Sequence, residues 1–198
     1  MMATLTVSEV RNRAKATTVY KSAQTLLSES VRAQAQSPRA GGYDIFLSHS
    51  FQDADLVLGL KLKLEQDFGH SVYVDWLADP QLDRSKVNAE TAKTLRARMN
   101  RCKGLLYAAT VSSTDSKWMP WECGYFDGKF GKAAIVPLTD SPVSDYKGQE
   151  YLGVYPYVVE DNMTVQGRTQ KVLWVQSSPK VYCTLSSWLN GSQPTAHA

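Results

Sequence analysis

The chain has 198 residues, 43% of them hydrophobic and 21% charged, with a formal net charge of +3. That length supports one domain with a real core, plus an extension. The charge is too mild to argue for nucleic acid or a membrane surface as a partner.

Cys102, Cys123 and Cys183 are odd in number, far apart and in no Cys-x-x-Cys pair. This argues against a disulfide framework or a zinc site and suits a reducing, cytoplasmic setting. No charged-then-apolar leader follows Met1, and no apolar run approaches the ~18 residues of a membrane span.

Residues 1–40 stand apart. Thr6-Val7-Ser8-Glu9 reads as a capping box opening one helix, with Tyr20, Ala23, Leu27 and Val31 as a thin apolar stripe. Such a helix is too polar for a core and is expected to lie on the domain or to pair with another chain. Ser37-Pro38 and Gly41-Gly42 end it in a linker.

Residues 43–48 (YDIFLS) form a predicted strand. Asp53 is placed to cap a helix whose Leu56, Leu60 and Leu64 share a face, stopping near Gly69. Residues 71–76 (SVYVDW) are β-branched and aromatic, a second strand. A polar loop with a proline covers residues 78–86.

A helix is expected over residues 88–101, with Ala92, Leu95, Met99 and Cys102 inward. A buried strand follows at 104–110 (GLLYAAT), then a Ser/Thr loop. Pro120 is tolerated in a first helical turn and not in an interior, so a helix starts near Met119 and Pro120 and runs to about Phe130. Trp118 then sits just before that helix and Glu122 in its first turn, an exposed carboxylate facing the positive end of the helix dipole. Residues 133–138 (AAIVPL) are another strand.

Continuously apolar strands alternating with helices predict a doubly wound α/β domain over about 41–140, its parallel sheet covered on both faces. Beyond it, residues 151–159 and 171–176 read as strands, Leu185, Trp188 and Leu189 as a short helix, and 191–198 as frayed. Residues 141–198 are thus a β-rich extension packed on the same domain.

In open α/β sheets ligands bind beyond the carboxyl ends of the strands. Three stretches meet there: Ser48-His49-Ser50, Asp75-Trp76 with its loop, and the loop leading to Trp118 and Glu122. No Gly-x-Gly-x-x-Gly follows a strand, no Walker loop has the right spacing, and no Gly-x-Ser-x-Gly elbow exists. His49 and His70 have no metal-ligand spacing. The carboxylate read alone is a stabilising first-turn residue.

The motif Tyr43-Asp44-Ile45-Phe46-Leu47-Ser48-His49-Ser50 resembles the first motif of Toll/interleukin-1 receptor (TIR) domains. Val72-Tyr73-Val74-Asp75 with its Pro-containing loop is similar to their second strand and BB loop. Trp118-x-x-x-Glu122 resembles the motif that carries the catalytic glutamate in TIR domains that cleave NAD+. The run 116–128 resembles bacterial stand-alone TIR proteins, and Tyr151-Leu152-Gly153 resembles the TIR subunit of Thoeris-type anti-phage systems.

The resemblance implies a flavodoxin-like TIR fold and an NAD+ nucleosidase or cyclase making an ADP-ribose-derived signal in anti-phage defence. NAD+ is then substrate, with no metal or bound cofactor. Glu122 is implied as the catalytic anion; Trp118 reads as a residue stacking on the ligand or as buried packing, and Trp121, one residue from Glu122 and pointing elsewhere, as core. His49 and Ser50 read as phosphate or ribose contacts or as plain loop polarity; Asp75 as orienting the loop; Arg84 as a pyrophosphate contact or, the better reading, a solvated charge. Ser48 and Trp76 complete the candidate set. Head-to-tail TIR–TIR association and a separate effector that senses the product are implied as well. The alternatives are a TIR scaffold without chemistry and a nucleoside-cleaving enzyme of similar fold.

Overall fold

The apolar runs pair side by side in the computed structural model, which describes residues 2–37, 39–76, 88–148, 150–165 and 167–197. The elements run β1 (Leu5–Thr6), α1 (Val7–Lys15), α2 (Ala23–Gln36), β2 (Tyr43–Ser48), α3 (Ala54–Leu62), β3 (Val72–Val74) and α4 (Ala89–Met99). They continue with β4 (Cys102–Ala109), α5 (Met119–Phe130), β5 (Ala133–Thr139), β6 (Tyr157–Val165), β7 (Arg168–Ser178), β8 (Val181–Thr184), α6 (Leu185–Leu189) and β9 (Thr195–Ala196).

The sheet order is β3-β2-β4-β5-β6-β7-β8-β9. Its first five strands are parallel, in the 2-1-3-4-5 order of a flavodoxin-like sheet. The order reverses between β2 and β4, and the crevice beyond their carboxyl ends is the topological switch point. From β6 onward the pairing is antiparallel, so the same sheet continues into the C-terminal strands. β6 begins later than expected, because residues Glu150–Val154 form a 3-10 turn, and residues Thr195–Ala196 pair with β8 where fraying was expected.

Helices cover both faces. One core joins α1, α2, α3 and α6 to Ile45, Leu47, Val72, Val74 and Leu106. The other joins α4 and α5 to Phe46, Tyr73, Leu105, Tyr107 and Ile135. Alternate residues of β2 thus feed opposite cores, as the strand's period of two requires.

The N-terminal segment is two helices where one was expected, broken at residues 16–22. Thr6 caps α1 by accepting from the Glu9 amide at 3.2 Å, while the Glu9 carboxylate accepts from Lys63 at 2.6 Å. The second helix has its own cap, Ser22, which accepts from the Thr25 amide. Of the predicted stripe, Ala23, Leu27 and Val31 are buried and Tyr20 is 96% exposed, because Tyr20 lies in the break. Burying residues such as Leu27 and Val31 is worth about 1.5–3 kcal/mol each. The crossing of α1 over α3 is close enough that a Cβ on Gly59 would sit 1.9 Å from the Val10 carbonyl oxygen. Beside it, β1 pairs in parallel with the end of β5.

Candidate active site

Glu122 stands in the first turn of α5, which starts at Met119–Pro120 as the proline demands. A tryptophan cannot cap a helix, and Ser116 accepts the Met119 amide in place of Trp118. The Trp118 carbonyl accepts the Glu122 amide at 2.8 Å. The Glu122 side chain is 0% exposed, so the expectation of an exposed carboxylate is corrected. The apolar residues Met119, Cys123 and Phe126 seat this helix deeply against the sheet, and Glu122 goes down with them.

Ser48, the last residue of β2, lies opposite Tyr107 of β4 and has the same parity as Phe46, facing α5. Its hydroxyl donates to Glu122 Oε2 at 2.6 Å, with both residues fully buried. The sheet thereby brings together two candidate residues that are 74 positions apart in sequence.

His49 has the opposite parity and stacks on Trp76 at 5.3 Å, with Phe51 edge-on to both rings. Its Nδ1–H donates to the Leu47 carbonyl at 2.8 Å. Ser50 accepts the Gln52 amide and caps the 3-10 turn Phe51–Asp53. Asp75, at the end of β3, is 0% exposed. Arg84 and the loop around it lie outside the described residues.

Both tryptophans pack on one core. Trp118 is 6% exposed and belongs to the α4–α5 core, whereas Trp121 is only half-buried. Trp121 lies edge-on to Trp118, stacks on Tyr125 and carries the Arg96 guanidinium over its ring. Tyr125 follows Trp121 by one helical turn, so these rings share the outer stripe of α5.

Asp53 does not cap α3; its carboxylate accepts the Thr110 hydroxyl at 2.6 Å. This bond ties the loop after β2 to the loop after β4 across the switch point. Neither Thr110 nor Phe51 was singled out from sequence, although both follow strands that end at this edge. Cys123, next to Glu122, is no nucleophile: burial pushes its thiol up to about 11, which leaves it protonated.

No protein-family model matches the chain. A protein of Bacillus cereus named as a 3' cyclic ADP-D-ribose synthase, ThsB', is 55% identical over 148 residues, 74% of this chain and 75% of that relative. The chain belongs to the Thoeris-type bacterial TIR proteins. A second relative, TIR2 of Cytobacillus dafuensis, named as a cyclic ADP-D-ribose synthase, is 31% identical over 84 residues. That match covers 42% of this TIR protein and 22% of the relative's length. Among the described residues, no helix is long and apolar enough to cross a membrane.

Proposed function

We infer that this TIR protein cleaves the nicotinamide–ribose bond of NAD+ and closes the ADP-ribosyl group into a cyclic product, a signal in Thoeris defence. The observation that carries the reading is a buried carboxylate, Glu122, held by Ser48 at the switch-point crevice, in a chain 55% identical to a protein named for making 3' cyclic ADP-D-ribose.

The chemistry follows from the bond that breaks. The anomeric carbon of the ribose loses nicotinamide and becomes oxocarbenium-like. Nicotinamide leaves with the bonding pair as a neutral base, so no general acid is needed. A fixed anion beside the developing cation lowers the barrier, and Glu122 supplies it from the positive end of α5. A hydroxyl of the same ADP-ribosyl group then attacks the cation and releases its proton, giving a cyclic product, nicotinamide and H+. Attack by water would give ADP-ribose. NAD+ is substrate throughout, and the sequence of bonds asks for no metal and no resident cofactor.

A carboxylate with no exposed surface meets a ribose only after its cover shifts. Head-to-tail association of TIR domains is the proposed trigger, since heterologous contacts can extend into open assemblies. The product is read by a separate effector. Two of the three free cysteines are buried, and all suit the reducing cytoplasm to which we assign the protein.

The test is chromatography of NAD+ incubated with the concentrated protein. Release of nicotinamide with a cyclic isomer, lost in Glu122→Gln with the circular dichroism unchanged, is the expected result. Turnover equal to wild type in Glu122→Gln would sink the mechanism. No turnover by the wild type at any concentration would leave a scaffold.

A further inference from the structure

Ser48 is a polar residue at the rim of the crevice, and such a serine is naturally read as a ligand contact. The geometry points to a different role: we propose that Ser48 is a positioning residue, whose hydroxyl holds the Glu122 carboxylate in the orientation that faces the ribosyl cation. The proposal rests on the reading of Glu122 as the catalytic anion.

Three observations carry it. The Ser48 Oγ–Glu122 Oε2 distance of 2.6 Å is that of a full hydroxyl–carboxylate hydrogen bond, and a hydroxyl has only one hydrogen to give. Ser48 is 0% exposed, enclosed like the carboxylate it serves. The anchor is also rigid: Ser48 is the last residue of β2, which is paired on both sides, to β3 and to β4. Glutamate has three side-chain torsions, and in a helix's first turn it can swing toward solvent or toward the helix amides. A bond from the adjacent sheet removes that freedom before substrate arrives, which is how a charge is preorganised for a transition state. Ser48 carries no charge of its own, so it orients the carboxylate without cancelling it. Neighbouring His49 cannot share the task, because its ring lies on the opposite side of the strand, stacked on Trp76.

The contrast with a substrate contact is kinetic. A residue that binds NAD+ directly changes KM when removed, whereas one that orients the catalytic anion changes kcat. In full-length protein, Ser48→Ala should lower kcat for nicotinamide release about tenfold to a hundredfold with little change in KM. Ser48→Thr, which restores the hydroxyl, should recover most of the loss. If Ser48→Ala does not fold, Ser48→Cys, which keeps the volume with a weaker donor, is read in the same way. In a Glu122→Gln background the serine substitution should cost nothing further. A raised KM at constant kcat, an unchanged kcat, or an additive loss in the double variant would each overturn the proposal.

A readout independent of turnover separates this proposal from the function it rests on. The carboxylate infrared stretch of Glu122, isolated by subtracting the Glu122→Gln spectrum from that of the resting protein, should shift in Ser48→Ala and return in Ser48→Thr. A band that does not move overturns the positioning role, whatever the protein does to NAD+. An inactive wild type with a shifting band overturns the NAD+ reading while the bond stands.

Discussion

Two carboxylates of this molecule are held in different regions, one in a seam of lysines and the other at the switch-point crevice. Glu160 of β6 lies between Lys63 and Lys171, at 2.6 and 2.5 Å, in a seam where α1, the end of α3 and the C-terminal strands meet. Glu122 lies at the switch-point crevice and takes a hydroxyl from Ser48. The seam cancels charge with charge: Lys63 also reaches Glu9, and Arg13 of α1 holds Asp67 at 3.0 Å. The crevice sets the hydroxyl of a buried strand-end serine on a helix carboxylate. The seam fastens segments of the chain by ion pairs, whereas the crevice encloses its carboxylate fully at the edge where ligands bind.

Substitutions in the two regions should have opposite signatures. The largest effect is expected from Glu122→Gln, which should lower nicotinamide release by about a hundredfold or more while leaving the urea midpoint nearly unchanged. Stability and activity should reverse in Lys63→Met. Removing that lysine leaves Glu160 with Lys171 alone and takes a partner from Glu9, and should cost about 1–3 kcal/mol in urea denaturation, with NAD+ turnover per folded molecule preserved. A large loss of turnover at full folding would mean that the seam and the crevice are coupled.

Gly59→Ala tests the same seam without touching a charge. Its new methyl would meet the Val10 carbonyl oxygen at 1.9 Å, so α1 must shift away from α3. A destabilisation of about 1–3 kcal/mol is expected. Unchanged stability would show that α1 is loosely docked.

The smallest effect concerns acid. Burial would raise the Asp44 carboxyl, but bonds from Lys103 and Ser71 outweigh it and hold the group at about 2, below its ordinary 3.8. For Glu160, burial is likewise outweighed by Lys171 and Lys63, and its pKa is lowered. A group depressed on folding stabilises above its unfolded pKa and loses that contribution as pH falls through the folded value. Urea midpoints should therefore be flat near neutrality and decline from about pH 4 toward about pH 2, with a shallower decline in Asp44→Asn. The same decline in Asp44→Asn as in wild type would remove Asp44 from this account.

Much of this arrangement was legible in one dimension. Continuous apolar runs at residues 43–48, 104–110 and 133–138 announce buried parallel strands, and Pro120 marks the start of α5. Alternation then places Ser48, Asp75, Trp118 and Glu122 at one edge, because parallel strands all end on the same side. Parity along β2 even separates Ser48 from His49. These are properties of local geometry, and a local pattern suffices to state them.

What a face meets is a different matter. Sequence read Glu122 as exposed and Asp53 as a helix cap; only the assembled molecule shows Glu122 enclosed and Asp53 bonded to Thr110. Each outcome depends on a partner more than fifty residues away or on the depth at which a helix seats, and no periodicity records either. The sequence determined that a first-turn carboxylate stands at the binding edge of a doubly wound sheet. The tertiary structure decided that Ser48 holds it, since a hydrogen bond between β2 and α5 exists only once the crossover has laid that helix against that strand.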